Sequence, residues 1–142
     1  MIDGVRRAVE SDADALASCI GAAYARYHGL ALPDVAGDID QEIAAHWVWV
    51  FESSDIIVGG IVMSQSQDKA HLRNLAVHPA HGGQGIASAL IRTALDAMRT
   101  QGVRSVELAT HVGMPENLAL YSHLGWHETG RAGDKVFMSR MI

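Results

Sequence analysis

Apolar and polar positions along this chain alternate in two rhythms, one of period two and one near 3.6. Val5 to Val9 reads as a first strand, and after it Leu16, Ile20, Ala23 and Tyr27 recur at the spacing that lays one apolar stripe along a helix. Ser11, with Asp14 three residues on, has the form of a capping box for that helix, and Gly29 is its natural stop. Pro33 to Asp40 reads as loop, a short helical piece carries Ile43, and the apolar run Trp47 to Phe51 is a strand. Ser53, Ser54 and Asp55 make a hairpin turn into a second strand, Ile56 to Met63. Polar Gln65 to Lys69 then turn the chain into a strand that ends at Val77. Ile86, Leu90, Ala94 and Ala97 share one face of a further helix that stops at Gly102. Val106 to Ala109 is a strand, a helix containing Asn117 follows, and Val136 to Met138 supplies the last strand. This order predicts an α/β (α+β) domain with a central mixed sheet and helices on both faces.

The full sequence of 142 residues suits one domain, 1–142, with a core large enough to need no covalent staples. No apolar run approaches a membrane span, and the first residues, with acidic Asp3, lack the apolar stretch of a signal peptide; a cytoplasmic location without a membrane partner is expected. Cys19 is the only cysteine, which excludes an intramolecular disulfide and a cysteine-rich zinc site, and its place in an apolar helical pattern favours packing over nucleophilic chemistry. The formal net charge is −5 with Lys and Arg scattered, which argues against nucleic acid as a partner. No internal repeat or low-complexity segment interrupts the pattern.

From Leu75 to Leu90 the chain reads LAVHPAHGGQGIASAL. Leu75, Ala76 and Val77 read as a buried strand, which Pro79 closes by withholding a ladder donor. Gly83 and Gly85, with the small Ala87 and Ser88 after them, clear side chains from a strand-to-helix turn, so that successive N–H groups converge on an anion. The helix beginning near Ile86 adds the positive end of its dipole. A plain tight connection would use the same glycines, so the turn alone does not identify a ligand. Two familiar phosphate motifs fit poorly. There is no Gly-Lys-Ser/Thr ending for a nucleotide-hydrolysing loop, and a dinucleotide fingerprint would open a repeated strand-helix-strand domain instead of lying past the middle of a short chain.

The segment resembles the acetyl-CoA-binding motif of the GNAT family of N-acetyltransferases, in which Arg or Gln, two residues, Gly, one residue, and Gly or Ala follow one another. Gly85 and Ala87 match it, whereas Gly82 stands where the longer polar side chain is usual; Leu75, Val77, Pro79, Ile86 and Leu90 agree with the flanking pattern. From Thr110 the chain reads THVGMPENLALYSHLGW, which resembles the same family's later motif: Asn117 opens a short helix, Tyr121 follows four residues on, and Gly125 with Trp126 closes it. Asn117 and Tyr121 would share one helix face. Taken alone, Asn117 also reads as a helix-start residue and Tyr121 as an amphipathic core residue.

The resemblance covers nearly the whole chain, with the specificity in the two motifs. It implies a single GNAT-like domain with a central mixed, mostly antiparallel, twisted sheet whose central strands splay, helices on both faces, and acetyl-CoA as cosubstrate without a metal. It assigns cofactor binding to Leu75, Ala76 and Val77, to Gly82, Gly83, Gln84, Gly85, Ile86, Ala87 and Ser88, and to Asn117 and Tyr121. A backbone N–H at Leu75 or Val77 would meet the thioester oxygen while the pantetheine arm adds to the strand, Asn117 would hold that arm, and Tyr121 would be the general acid for the departing thiolate. The partner it implies is an amine-bearing acceptor, small molecule or protein, and the family also admits a homodimer.

Acetyl transfer to an amine requires a neutral nitrogen, a polarised carbonyl and a proton for the thiolate. An amine near pKa 10.4 is neutral about once in a thousand molecules at pH 7.4, so supplying the free base costs on the order of 4 kcal/mol unless the site assists. Candidates for the base are His71, Asn74, His111 and Glu42, acting directly or through water; His111 follows Thr110 at a strand end, and an imidazole suits proton exchange near neutrality. Each also has an ordinary structural reading. Tyr24, Arg26, Tyr27 and His28 cluster where an acceptor would be read, a cluster that an amphipathic helix end explains equally well. Among the eight histidines, Pro79 breaks the His78/His81 pair and Gly125 the His123/His127 pair, and neither has an acidic or cysteine partner at metal-ligand spacing. The expected function is an acetyl-CoA-dependent N-acetyltransferase working by direct transfer in a ternary complex. Gly82 keeps open a CoA-binding regulatory or interaction module without turnover, and a nucleotide-binding domain is the third reading.

Overall fold

A computed structural model describes residues 4–25, 27 and 38–142. Its strands are β1 (Gly4–Arg7), β2 (Trp47–Ser53), β3 (Ile56–Ser66), β4 (Lys69–Val77), β5 (Ser105–His111), β6 (His127–Ala132) and β7 (Lys135–Met141). The helices are α1 (Ala13–Tyr24), α2 (Ile39–Ala45), α3 (Ile86–Thr100) and α4 (Pro115–His123). The strands form one sheet in the order β1-β2-β3-β4-β5-β7-β6, antiparallel except where β4 meets β5. Mixed α/β architecture with a mostly antiparallel sheet agrees with the expectation.

Alternation along the strands feeds two cores, one on each face. Val48, Val50, Val62 and Ala76 face Leu16 and Ile20 of α1 and Ile39 of α2. Trp49, Ile61, Met63 and Leu72 face α3, whose Ile86, Leu90, Ile91, Ala94, Leu95 and Met98 are all buried. The two helix layers press on β3 at adjacent glycines. A Cβ on Gly60 would overlap Leu16 Cδ1, and one on Gly59 would stand 3.0 Å from Ile86 Cγ2. Side-chain-free positions therefore let α1 and α3 seat close to opposite faces of the central strand.

β4 carries the irregularity that matters for the site. Leu72 pairs with Met63 and Asn74 with Val62, which leaves Arg73 as the extra residue of a β-bulge. Before the bulge Ala70 and Leu72 belong to the α3 core; after it Ala76 belongs to the α1 core, with Asn74 two residues before on the same side. The bulge thus reverses which side of the sheet the even-numbered residues face.

Several predicted boundaries shift. The first strand ends at Arg7, and a 3-10 turn at Glu10–Asp12 precedes α1. The expected Ser11/Asp14 box is replaced by Asp12, whose carboxylate accepts the Val9 N–H at 2.7 Å and two hydrogen bonds from Arg6. Tyr27 lies beyond the end of α1 instead of on its stripe, and the expected stop at Gly29 and most of the Pro33–Asp40 loop lie outside the described residues, as do Arg26 and His28. The hairpin turn is where the sequence placed it, with Ser54 and Asp55 at φ of 52° and 66°. Strand β6 has no counterpart in the hydrophobic pattern of the sequence. No described helix is long and apolar enough to cross a membrane.

Candidate active site

The chain leaves β4 through a 3-10 turn at Pro79–His81, pinned by the Ala80 N–H donating to His78 Nδ1 at 3.1 Å. Gly83 and Gly85 then take φ of 75° and 77°, the left-handed region where a side chain is strained, and Gly85 caps α3. The N–H groups of Ile86, Ala87 and Ser88 occupy the first turn of α3, where none has an acceptor inside the helix. Gly82 differs from its neighbours. Its φ is −63°, and a Cβ there would meet only Pro79 O at 3.6 Å, so the backbone accepts a longer residue without strain. A cavity of about 440 Å³ opens over this turn, lined by Leu75, Val77, most of residues 82–88, and Asn117. Gln84 is exposed and does not line it. No Lys or Arg among the described residues does either. What the wall offers an anion is therefore backbone N–H groups, the helix dipole and the side chains of His81 and Ser88, with Glu116 as the one acidic residue among those described.

Past the bulge, β4 and β5 separate. They pair only from Lys69 with Ser105 to Leu72 with Leu108, so β4 beyond Leu72 has β3 on one side alone. The His78 N–H donates to Val58 O at 2.8 Å, and alternation then turns the N–H groups of Ala76 and Asn74 toward β3 and those of Leu75 and Val77 toward the gap. The splay that the resemblance implied is present, with these two donors along its edge.

A second cavity, also about 440 Å³, occupies the far side of the gap. It shares Tyr24, Leu75, Met114 and Asn117 with the first, so the two meet at the open edge of β4. Tyr24 enters from α1 and Tyr121 from α4, from opposite faces of the sheet. The Tyr24 hydroxyl donates to Asn74 Oδ1 at 3.4 Å. Tyr121 is 5% exposed and packs edge-to-face on Trp126, ring centroids 5.8 Å apart. Burial, and then the neighbouring Tyr24, push its phenol well above the ordinary value near 10; burial alone raises Tyr24.

The closing Gly-Trp pair is the anchor of this arrangement. Gly125 at φ 100° ends α4, and the Trp126 N–H returns to Tyr121 O at 2.9 Å. The buried indole donates to Val106 O of β5 at 3.1 Å. Asn117 does not open α4, which begins at Pro115; it lies in the first turn, at the junction of the two cavities.

The base candidates separate clearly. Glu42 lies outside both cavities, engaged by Arg73 at 2.8 Å and by His46 at 3.3 Å. His111 lines the second cavity, but its Nδ1 accepts the Gly113 N–H at 2.8 Å, which leaves the proton of the neutral ring on Nε2. That nitrogen is buried, makes no hydrogen bond, and stands 3.7 Å from Asp134 Oδ2. In this geometry His111 has no lone pair to offer an amine, and the two loops walling the cavity are joined by the Val112 N–H donating to Asp134 O at 2.8 Å. His71 also lines that cavity; it is exposed, and partial desolvation and then Arg73 lower its pKa from 6.5, against a smaller opposing effect of Glu107. Its ring is neutral at neutral pH. Among the described residues no group of three or more His, Cys, Asp or Glu could hold a metal ion.

Comparison with known proteins bears on this geometry. N-acetyltransferase 8B of Homo sapiens is 33% identical over 118 residues, a match covering 77% of this chain and 52% of that protein. The probable N-acetyltransferase family 8 member 5 of Mus musculus is 36% identical over 100 residues, 66% of this chain and 44% of that one. The chain spans about half the length of these curated relatives. Among solved structures, the PaiA N-acetyltransferase of Thermoplasma acidophilum in complex with coenzyme A superposes with a TM-score of 0.91 at 16% identity, covering 100% of both chains. An acetyltransferase of the GNAT family from Staphylococcus aureus Mu50 gives 0.87 at 16% identity over 99% of each. At these identities the likeness is one of fold. The profile of the Acetyltransferase (GNAT) family matches residues 18–126, a span that takes in the second half of α1, the glycine turn, the splayed strands and the Gly-Trp anchor, and the chain belongs to that family.

Proposed function

We propose that this chain is an acetyl-CoA-dependent N-acetyltransferase that moves the acetyl group directly to a primary amine held in the same complex. The observation that carries the reading is the meeting of two cavities at the open edge of β4, one over a backbone anion cradle and the other walled by phenols and imidazoles. The cradle fits the cofactor's pyrophosphate, because positive φ at Gly83 and Gly85 and the first-turn N–H groups of α3 bring backbone donors to the cavity wall. Acetyl-CoA supplies the activated acetyl group. Leu75 and Val77 donate their free N–H groups to the arm and to the thioester oxygen, which favours charge developing there. Tyr121 keeps its proton and presents a hydroxyl donor to the departing sulfur. Asn117 steadies the arm where the cavities join. His71, neutral and accessible, collects the amine proton through water; the contacts of Glu42 with Arg73 and of His111 Nδ1 with the Gly113 N–H support this choice.

The test is a pair of measurements on the purified protein: thermal melts with CoA, acetyl-CoA, ATP and NAD, and thiol release from acetyl-CoA across a panel of primary amines. A ligand at about a hundred times its Kd stabilises by about 2.7 kcal/mol, so a shift with both CoA forms and not with ATP or NAD is expected, together with amine-dependent thiol release. A CoA shift without thiol release for any amine would favour a binding module without turnover, the reading that Gly82 keeps alive. No CoA shift would overturn both.

A further inference from the structure

Asn74 is one of two buried polar or charged residues in the described chain, at 8% exposure. The other, Asp12, has an arginine partner far from the gap, whereas Asn74 lines the second cavity beside Leu75. A buried amide is costly unless its groups are used, and three features of the fold combine to place this one. The bulge at Arg73 turns residue 74 to the α1 side; in a regular, unbulged strand Asn74 would fall in the phase of Ala70 and Leu72 and enter the apolar α3 core. The Arg73 guanidinium, bound to Glu42 of α2 at 2.8 Å, fixes that irregular residue from outside. The Tyr24 hydroxyl then donates to Asn74 Oδ1, so the carbonyl end of the amide is oriented by α1. An amide oxygen has two lone pairs, and Tyr24 uses one.

We infer that Asn74 and Tyr24 form the acceptor-positioning pair of the site: Asn74 Oδ1 accepts an N–H of the incoming neutral amine and thereby turns the nitrogen lone pair toward the acetyl carbon beside Leu75. The assignment rests on the transferase reading above. The geometry behind it is the adjacency of two groups with opposite tasks. The Leu75 N–H, on the gap side of β4, is the donor for the thioester oxygen, and the side chain one residue earlier supplies the acceptor for the nucleophile. Both ends of the reacting pair are then held by consecutive residues of one strand. Neither Asn74 nor Tyr24 gains or loses a proton in this role, so they position the reactants without acting as acid or base.

A binding experiment without turnover tests it. One probe is CoA S-linked to an N-butylacetamide, whose secondary amide N–H stands where the attacking amine's N–H would lie; the other is its N-methyl counterpart, which lacks that N–H. Wild-type protein is expected to bind the secondary amide about tenfold more tightly, the worth of one satisfied hydrogen bond. Asn74→Ala should bring the ratio to within about twofold, Asn74→Asp, which keeps an acceptor oxygen, should preserve a clear preference, and Tyr24→Phe should reduce it roughly threefold by freeing the amide to reorient. CoA itself should bind each variant as it binds the wild type, which shows that the cradle and fold are intact. A preference that survives Asn74→Ala would come from the bulk of the N-methyl group and would overturn the pair's role, as would no preference in the wild type. Protein that binds neither CoA nor either probe would instead fail the transferase reading itself, and the positioning role with it.

Discussion

Tyr121 illustrates how packing sets the chemistry of a single side chain. Its phenol is raised by burial and by Tyr24, so it stays protonated through neutral and moderately alkaline pH. A thiol of ordinary acidity, near pKa 8.5, is a far stronger acid than this phenol, so complete transfer of the Tyr121 proton to a thiolate runs uphill. On the proposed transferase reading the residue would act on the sulfur as a hydrogen-bond donor. Tyr121→Phe is therefore expected to lower kcat by about a hundredfold, with CoA affinity by calorimetry unchanged, since the loss falls on charge that develops only in the transition state. The wild-type rate should also show no alkaline decline from this group below about pH 10. Gly82 poses the reverse problem, a residue whose backbone needs nothing special. Because φ is negative and the space beyond Pro79 O is open, Gly82→Arg is expected to fold normally and to lower the Kd for CoA by about three- to tenfold through one added charge-assisted contact, read by calorimetry. An unchanged Kd would place residue 82 away from the phosphates.

At the scale of elements, the sheet is organised by the close approach of α1 and α3 to β3. Gly60→Ala would drive a methyl group into Leu16, which has no exposed surface and little room to give. Overpacking of this kind costs about 1–3 kcal/mol, and at roughly 4 °C per kcal/mol the melting temperature should fall by several degrees to about 12 °C. The helix with a clean apolar stripe, α3, was legible in the sequence, as were the strands with continuous apolar runs and the turn at Ser54 and Asp55. Strand β6 was not. Five of its six residues are exposed, and it joins the sheet only as an edge through backbone bonds to β7, so it leaves no hydrophobic rhythm to read. The bulge at Arg73 was equally hidden, because an extra residue is defined only against the partner strand. The glycine turn could be read in advance for the opposite reason: its chemistry is local, carried by residues adjacent in the chain.

For the whole molecule, the N-terminal segment is fastened by charge. Arg6 on β1 binds Asp12 at 2.8 Å and Glu52 of β2 at 2.9 Å. The hydrogen bonds from Arg6, helped by the Val9 N–H and opposed by partial burial, hold the Asp12 carboxyl below its ordinary range. A carboxyl depressed in the folded state stabilises fully above its unfolded pKa, near 3.9, and that contribution disappears as pH falls through the lower folded value. Melting temperature should accordingly fall below about pH 4, and Asp12→Asn should be less stable at pH 7 yet show a shallower acid decline. Long-range connections such as this one, or Tyr24 to Asn74 across fifty positions, explain why the site was only partly legible. The sequence named the tyrosine and the turn, but whether a histidine is free to take a proton depends on loops brought to it by the fold.

The gap between β4 and β5 also gives the molecule a clock. Leu75 and Val77 lie mid-sheet by position, yet their amides face the side without a partner strand, while those of Ala76 and His78 are tied to β3. In heavy water the first two should exchange their hydrogens at the speed of a loop and the second two at the speed of a core. Occupation of the gap by CoA should slow the fast pair to the pace of the slow one, so that two alternate residues of one strand record the arrival of a ligand before any chemistry occurs.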